Sequence, residues 1–135
     1  MKELHYSILI TTQYGETDCV QASASTLLFY FGVKKSVSEI KEEVPIFINA
    51  AGEPQGTSLG HIASYFLDLG FAVTMHTSDI DLFDATWHTR PTQELISLIT
   101  ERQKYMHHAI YGSDALEAIT HGYISFLKKG GNLVF

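Results

Sequence analysis

The stretch from Gln13 to Gly32 constrains the fold more than any other part of the chain. It holds the only cysteine, Cys19, between a polar, turn-forming run and a run with helical spacing. The apolar positions at i, i+3, i+4 and i+7, which lie on one face of a helix, are Ala24, Leu27, Leu28 and Phe31. The pattern therefore predicts a helix that begins close to the cysteine.

The boundaries of this helix determine the environment of the thiol. Thr17 or Asp18 can cap the N-terminus, and Gly32 is placed to end the helix. Cys19 is then in the first turn, where unpaired backbone N–H groups and the positive end of the dipole favour a thiolate. The thiolate is the nucleophilic form of cysteine. A lone cysteine in an apolar helix is more often a small buried side chain, so position alone leaves both roles open.

A glutamine precedes the cysteine by six residues. The Gln13 amide can donate to a developing oxyanion together with the backbone N–H of Cys19. Here the sequence resembles the papain-like cysteine peptidases that cut leader peptides after a double glycine during bacteriocin export. The resemblance rests on Gln13, Asp18-Cys19, Ala22, Leu27 and Tyr30-Phe31-Gly32. It implies that Cys19 is the nucleophile and that Gln13 belongs to the oxyanion hole. Val20 departs from the family, which usually has glycine after the cysteine.

The composition bounds the class of protein. The 135 residues suffice for one domain with one core, and 45% hydrophobic and 18% charged residues are typical of a globular domain. A net charge of −6 without a basic cluster argues against a nucleic-acid partner. A single cysteine allows no internal disulfide and favours a reducing, cytoplasmic compartment. No apolar run is long enough for a signal peptide or a membrane span.

The rest of the chain predicts alternating helices and short extended segments. A second block, from Gly56 to Phe71, also resembles the leader peptidases, and there the resemblance implies a structural role only. Together the pattern and the resemblance predict an α+β, papain-like cysteine peptidase fold. Residues 4–12 are predicted as a strand or as an extended lead-in that delivers Gln13 to the site. The other predicted elements are helices over 36–43, 57–70, 92–112 and 113–129, a strand over 71–76, irregular segments over 46–56 and 77–91, and a strand from Asn132.

A cysteine nucleophile needs a histidine base, which no local pattern here identifies. In the leader peptidases this histidine opens a strand before a β-branched run, and an aspartate follows later. None of the seven histidines precedes such a run: His5, His61, His76, His88, His107, His108 and His121. Adjacent histidines on a helix point about 100° apart, and no Cys/His or HExxH spacing occurs. The sequence therefore predicts neither a metal nor a cofactor.

The missing base and the ending LKKGGNLVF suggest that residues 1–135 are the N-terminal part of a single papain-like domain. We expect the second-half sheet to be largely missing, with the histidine and aspartate encoded beyond Phe135.

Three functions remain open. The first is a hydrolase that cleaves a peptide or amide bond with Cys19 as nucleophile and Gln13 as oxyanion donor. The second is a non-catalytic, peptidase-like domain that binds a peptide substrate or partner. The third is a structural helical domain with a buried Cys19.

Overall fold

The computed structural model describes residues 3, 5–78, 82–106 and 112–134. Helices dominate this part of the chain. The α-helices are α1 Cys19–Tyr30, α2 Val37–Glu43, α3 Leu59–Asp68, α4 Thr92–Tyr105 and α5 Ser113–Lys128, with a 3₁₀ helix at Ala85–Thr89. The predicted α+β class is confirmed, with most of the regular structure in helices.

Four short strands form two separate pairs within the described residues. β1 (Phe47–Ile48) and β2 (Pro54–Gly56) make an irregular antiparallel hairpin. β3 (Thr74–His76) and β4 (Asn132–Val134) pair in parallel, with Met75 opposite Leu133. The parallel pair brings the segment after α3 beside the segment after α5.

The core has two parts that share α3. The larger cluster packs α3 against α4, α5 and the parallel strands, and Phe126, Leu116, Ile99 and Leu82 are fully buried in it. The smaller cluster packs α1 and α2 against the other side of α3, around Leu28, Ile40 and Tyr65. Helix α3 therefore lies between the cysteine-bearing helix and the C-terminal helix.

Local sequence signals explain most helix ends. Ser36 and Glu39 form the predicted capping box at the start of α2: Ser36 Oγ accepts from the Glu39 N–H, and the Glu39 carboxylate accepts from the Ser36 N–H. This contact lowers the pKa of Glu39. Gly32 ends α1 with a φ of 82°, in the left-handed region that glycine adopts without strain.

Several predicted boundaries are wrong. Of the two alternatives for the N-terminal segment, the strand is wrong for its described part, because residues 5–14 contain no regular secondary structure. The segment 46–56, predicted to be irregular, contains the β1–β2 hairpin, whose strands of two and three residues are too short to give a sequence pattern. Helix α4 ends at Tyr105, before the predicted end near Gly112. The caps of α3 and α5 are Ser58 and Gly112, one residue from the predicted Thr57 and Ser113.

The buried face of α1 also differs from the predicted one. Ala24 and Leu28 are buried as expected, but Leu27 is 41% and Phe31 is 55% exposed. The buried face of α1 instead has the spacing i, i+3, i+4 and i+7 that starts at a glutamine. Its residues are Gln21, Ala24, Ser25 and Leu28. A hydrophobicity pattern selects the neighbouring stripe, because two of these four residues are polar.

Candidate active site

Cys19 is exposed at the first residue of α1. The prediction of a cysteine in the first helical turn is confirmed, and the alternative of a buried sulfur is wrong. The unpaired N–H groups of a first helical turn face the same end of the helix as this side chain. The thiol is therefore accessible to a substrate at a position where negative charge is favoured.

Asp18 occupies the N-cap position but does not cap the helix with its side chain. Asp18 is buried, with only 3% of the residue exposed, and its carboxylate turns back to the preceding loop. Both oxygens accept from the Gly15 N–H, at 2.9 and 3.1 Å. The carboxylate thus closes the turn 15–18 immediately before the cysteine, which corrects the predicted capping role.

Gln13 is tied to the same turn. Its side-chain Nε2 donates to the Gly15 carbonyl oxygen at 2.7 Å. The Gly15 carbonyl oxygen therefore accepts a hydrogen bond from the Gln13 amide, and the Gly15 N–H donates to the Asp18 carboxylate. This chain of contacts links the glutamine to the residue before the nucleophile, although the amide is directed at the turn.

Gln13 and Cys19 line one open cleft of about 430 Å³ beside α1. Its other walls come from α1 and the segment before the turn, including Ile10, Thr11 and Thr26. Thr26 Oγ1 accepts from the Thr11 N–H at 2.8 Å and so attaches this segment to the helix. The two residues thus line the same cleft, and their chemical roles stay predictions.

A second cleft, of about 300 Å³, lies on the other side of Cys19. It is mostly apolar, and α3 supplies its far wall through Leu59, Ile62 and Phe66. Leu59 is 61% exposed, so this wall of the cleft is open to solvent. Cys19 thus lines two clefts, one that it shares with Gln13 and one between α1 and α3.

A buried glutamine fixes α1 relative to α3. Gln21 is fully buried, and its Nε2 donates to the Val44 carbonyl oxygen at 2.9 Å and to Thr57 Oγ1 at 2.7 Å. Thr57 immediately precedes the N-cap of α3. Hydrophobic spacing does not identify Gln21, because the residue is polar. Its position three residues before Ala24, on the buried face of α1, was the available signal.

No described histidine lines either cleft at Cys19. His5, His76 and His88 are exposed, and His5 lies 3.4 Å from Glu3. His107 and His108 lie outside the described residues. Among the described residues, Cys19 and Gln13 therefore share a cleft, but no histidine that could act as the base lines it.

His61 and His121 instead meet each other where α3 crosses α5. His61 Nε2 and His121 Nδ1 are 3.2 Å apart, and His61 Nδ1 is 2.7 Å from Ser58 Oγ. Burial lowers the pKa of His61, and His121 and Lys129 lower it further. His61 is half-buried at this crossing, and His121 is exposed.

Across residues 3, 5–78, 82–106 and 112–134, no group of three His, Cys, Asp or Glu side chains is arranged to hold a metal ion. Among these same residues, no helix combines the length and apolar character that crossing a bilayer requires.

Comparison with known proteins identifies the family. Residues 7–120 match the sequence model of the peptidase C39 family. The match includes Gln13, Cys19 and the second block from Gly56 to Phe71. Neither a curated protein nor a solved structure shows a significant match to the chain. With most of its length matched, and with an exposed cysteine at the start of α1, the chain belongs to the peptidase C39 family of cysteine peptidases.

Proposed function

We propose that this protein is a cysteine peptidase that cleaves a peptide bond with Cys19 as nucleophile and Gln13 as oxyanion donor. The observation that carries the proposal is the shared cleft: an exposed thiol at a helix N-terminus and a glutamine amide from the preceding segment line the same walls. Membership of a peptidase family adds the class of substrate, a peptide or protein.

The reaction begins with attack of the Cys19 thiolate on a substrate carbonyl carbon. The carbonyl oxygen gains negative charge, which the Cys19 backbone N–H and the Gln13 Nε2 amide stabilise. Gln13 Nε2 carries two N–H donors, of which one is bound to the Gly15 carbonyl oxygen, so the second donates to the oxyanion in this step. Collapse of the tetrahedral intermediate breaks the C–N bond, and the leaving amine takes the proton that the histidine base removed from the thiol. Water then attacks the acyl-enzyme thioester, which releases the carboxylic acid product and regenerates the thiol.

The substrate class follows from the resemblance described above. We propose a leader peptide with a small-residue pair, such as a double glycine, before the scissile bond, and processing in the cytoplasm. The narrow apolar cleft between α1 and α3 supports an apolar leader segment beside the cysteine. The base is a histidine that does not line the Cys19 clefts in the described residues.

The absence of a described histidine from both clefts favours a second function, a peptidase-like domain that binds a peptide without cutting it. Iodoacetamide separates the two functions. A nucleophile activated for catalysis reacts faster than free cysteine at pH 6.5, whereas the thiol of a binding domain reacts at the rate of free cysteine.

Cleavage of synthetic peptides tests the enzyme directly. We expect hydrolysis after a double glycine, a loss of roughly 100-fold or more in kcat for Gln13→Ala, and no cleavage by Cys19→Ser. Tight binding of the same peptide by the unmodified protein, without any product, would establish the binding function in place of the peptidase.

A further inference from the structure

The crossing of α3 and α5 is held at a fixed distance by two glycines. A Cβ atom at Gly60 would lie 2.2 Å from the Gly122 carbonyl carbon, and one at Gly122 would lie 2.3 Å from Ser58 Oγ. The dipeptides Gly60-His61 and His121-Gly122 therefore bring two helix backbones into contact with a histidine on either side. This close approach fixes the positions of both imidazoles before any ligand arrives.

The two imidazoles have the separation of nitrogen atoms that share a metal ion. His61 Nε2 and His121 Nδ1 are 3.2 Å apart. Two nitrogens on one tetrahedral zinc lie about 3.3 Å apart, because each bond is about 2.0–2.1 Å long. Without an ion, the same two nitrogens are at hydrogen-bond distance, so metal binding would replace the proton that they share.

Ser58 supplies the outer contact that a metal-bound histidine normally has. With its proton on Nδ1, His61 donates to Ser58 Oγ at 2.7 Å and leaves the Nε2 lone pair facing His121. Such a contact fixes the tautomer and the orientation of a ligating ring. Ser58 is held in turn as the N-cap of α3, where its Oγ accepts from the His61 N–H at 3.3 Å.

The cleft around the two histidines carries negative charge. Asp114 and Glu117 of α5 line it together with His61 and His121, and its volume is about 540 Å³. Glu117 lies one helical turn before His121 on the same helix, a spacing that puts both on one face. Acidic walls favour a cation over an anion at this position, and a cleft of this size accommodates the water molecules of an incompletely coordinated ion.

We propose that His61 and His121 bind a divalent transition-metal ion that links α3 to α5. Two imidazole nitrogens and water molecules coordinate the ion, and the Asp114 and Glu117 carboxylates contact it through those waters. The site is separate from the Cys19 clefts, whose walls share no histidine with it. Imidazole ligands suit copper, nickel and zinc, and Cu²⁺ is expected to bind most tightly.

Titration of the tag-free protein with CuCl₂ and NiCl₂ tests the proposal. The Cys19→Ser background removes the exposed thiol as a competing ligand. We expect one ion per chain, at least tenfold weaker binding in His121→Ala and in His61→Ala, and a smaller loss in Glu117→Gln. The Cu²⁺ EPR spectrum should show coupling to two nitrogens, and to one nitrogen after either histidine is removed.

His76→Ala is the matched control, since this exposed histidine lies at the end of β3 and lines neither the His61–His121 cleft nor the Cys19 clefts. It should bind as the parent does. Because His121 is exposed, its substitution should preserve the fold, which circular dichroism verifies. Failure of the parent to bind one ion saturably, or equal affinity in parent and His121→Ala, would overturn the proposal.

Discussion

The Cys19 clefts and the α3–α5 crossing are built in opposite ways. At the cysteine, the turn 15–18 is closed by one carboxylate, and the segment before it is attached to α1 by a hydrogen bond to Thr26. At the crossing, two helix backbones touch through Gly60 and Gly122 with no space for a methyl group. One region exposes its reactive side chain at a helix start that follows a short turn, and the other packs two helix backbones closely together.

The difference shows how a small domain separates access from stability. A nucleophile needs open space for a substrate, and Cys19 is accordingly exposed beside two open clefts. The stability that this arrangement gives up must come from elsewhere, and the close-packed crossing within the larger core supplies it. Changes at the cysteine should therefore affect chemistry, whereas changes at the crossing should affect folding.

The largest expected effect comes from Cys19→Ser. We expect peptide cleavage to fall by at least about 1000-fold, because a serine hydroxyl is a far weaker nucleophile without an adapted base. The free energy of unfolding should change by less than about 0.5 kcal/mol, because the side chain is exposed. Initial rates and urea unfolding measure the two quantities.

Ser97→Ala is a suitable control for this variant, since Ser97 is exposed on α4 and its Oγ donates to the Gln93 carbonyl oxygen. It should change neither quantity. Strong destabilisation by Cys19→Ser would show that the cysteine region is not the lightly packed one.

Gly60→Ala should have the next largest effect, on stability. The added methyl group meets backbone atoms of α5, so the helices must separate, which costs about 2–3 kcal/mol of unfolding free energy. Gly15→Ala is the counterpart in the cysteine region, where a Cβ would lie 3.4 Å from Asp18 Oδ1. That variant should stay within about 0.5 kcal/mol of the parent. Similar urea midpoints for the two variants would contradict the comparison.

Asp18→Ala should lower both stability and cleavage by intermediate amounts. Loss of a charged acceptor for the Gly15 N–H is expected to cost about 1–2 kcal/mol of unfolding free energy. The loosened turn should also misplace Gln13 and reduce kcat roughly tenfold. Asp18→Asn, which keeps one acceptor oxygen, should recover part of both losses. If Asp18→Ala cleaves peptide normally, the turn does not position the glutamine.

Thr26→Val should produce the smallest effect. It removes the acceptor for the Thr11 N–H and leaves the rest of α1 in place, at a cost of about 1 kcal/mol or less. Hydrogen exchange over residues 5–14 should become faster, with little change in α5. Thr26 Oγ1 also donates to the Ala22 carbonyl oxygen, four residues earlier on α1. Thr100→Val is the matched control, because Thr100 Oγ1 donates in the same way to the Ile96 carbonyl oxygen on α4. Unchanged exchange over 5–14 would show that other contacts hold this segment.

Local signals predicted the helices well and their faces less well. The Ser36–Glu39 capping box and the glycine that ends α1 depend on residues within a few positions of each other, so sequence alone identifies them. The inward faces of α1 and α3 contain glutamine, serine and glycine, which pack between helices because of their size or hydrogen bonds. A pattern of hydrophobic residues cannot indicate such faces.

By itself, the sequence determined that Cys19 begins a helix, that Gln13 precedes it at a fixed spacing, and that the chain has the residues of a leader-peptidase-like family. These features depend on local backbone preferences and on a short motif. Only the tertiary structure decided that Asp18 closes a turn, and that His61 and His121 meet across 60 residues. Such contacts arise when helices pack, because the distance between remote side chains is set by the whole core and by no local pattern.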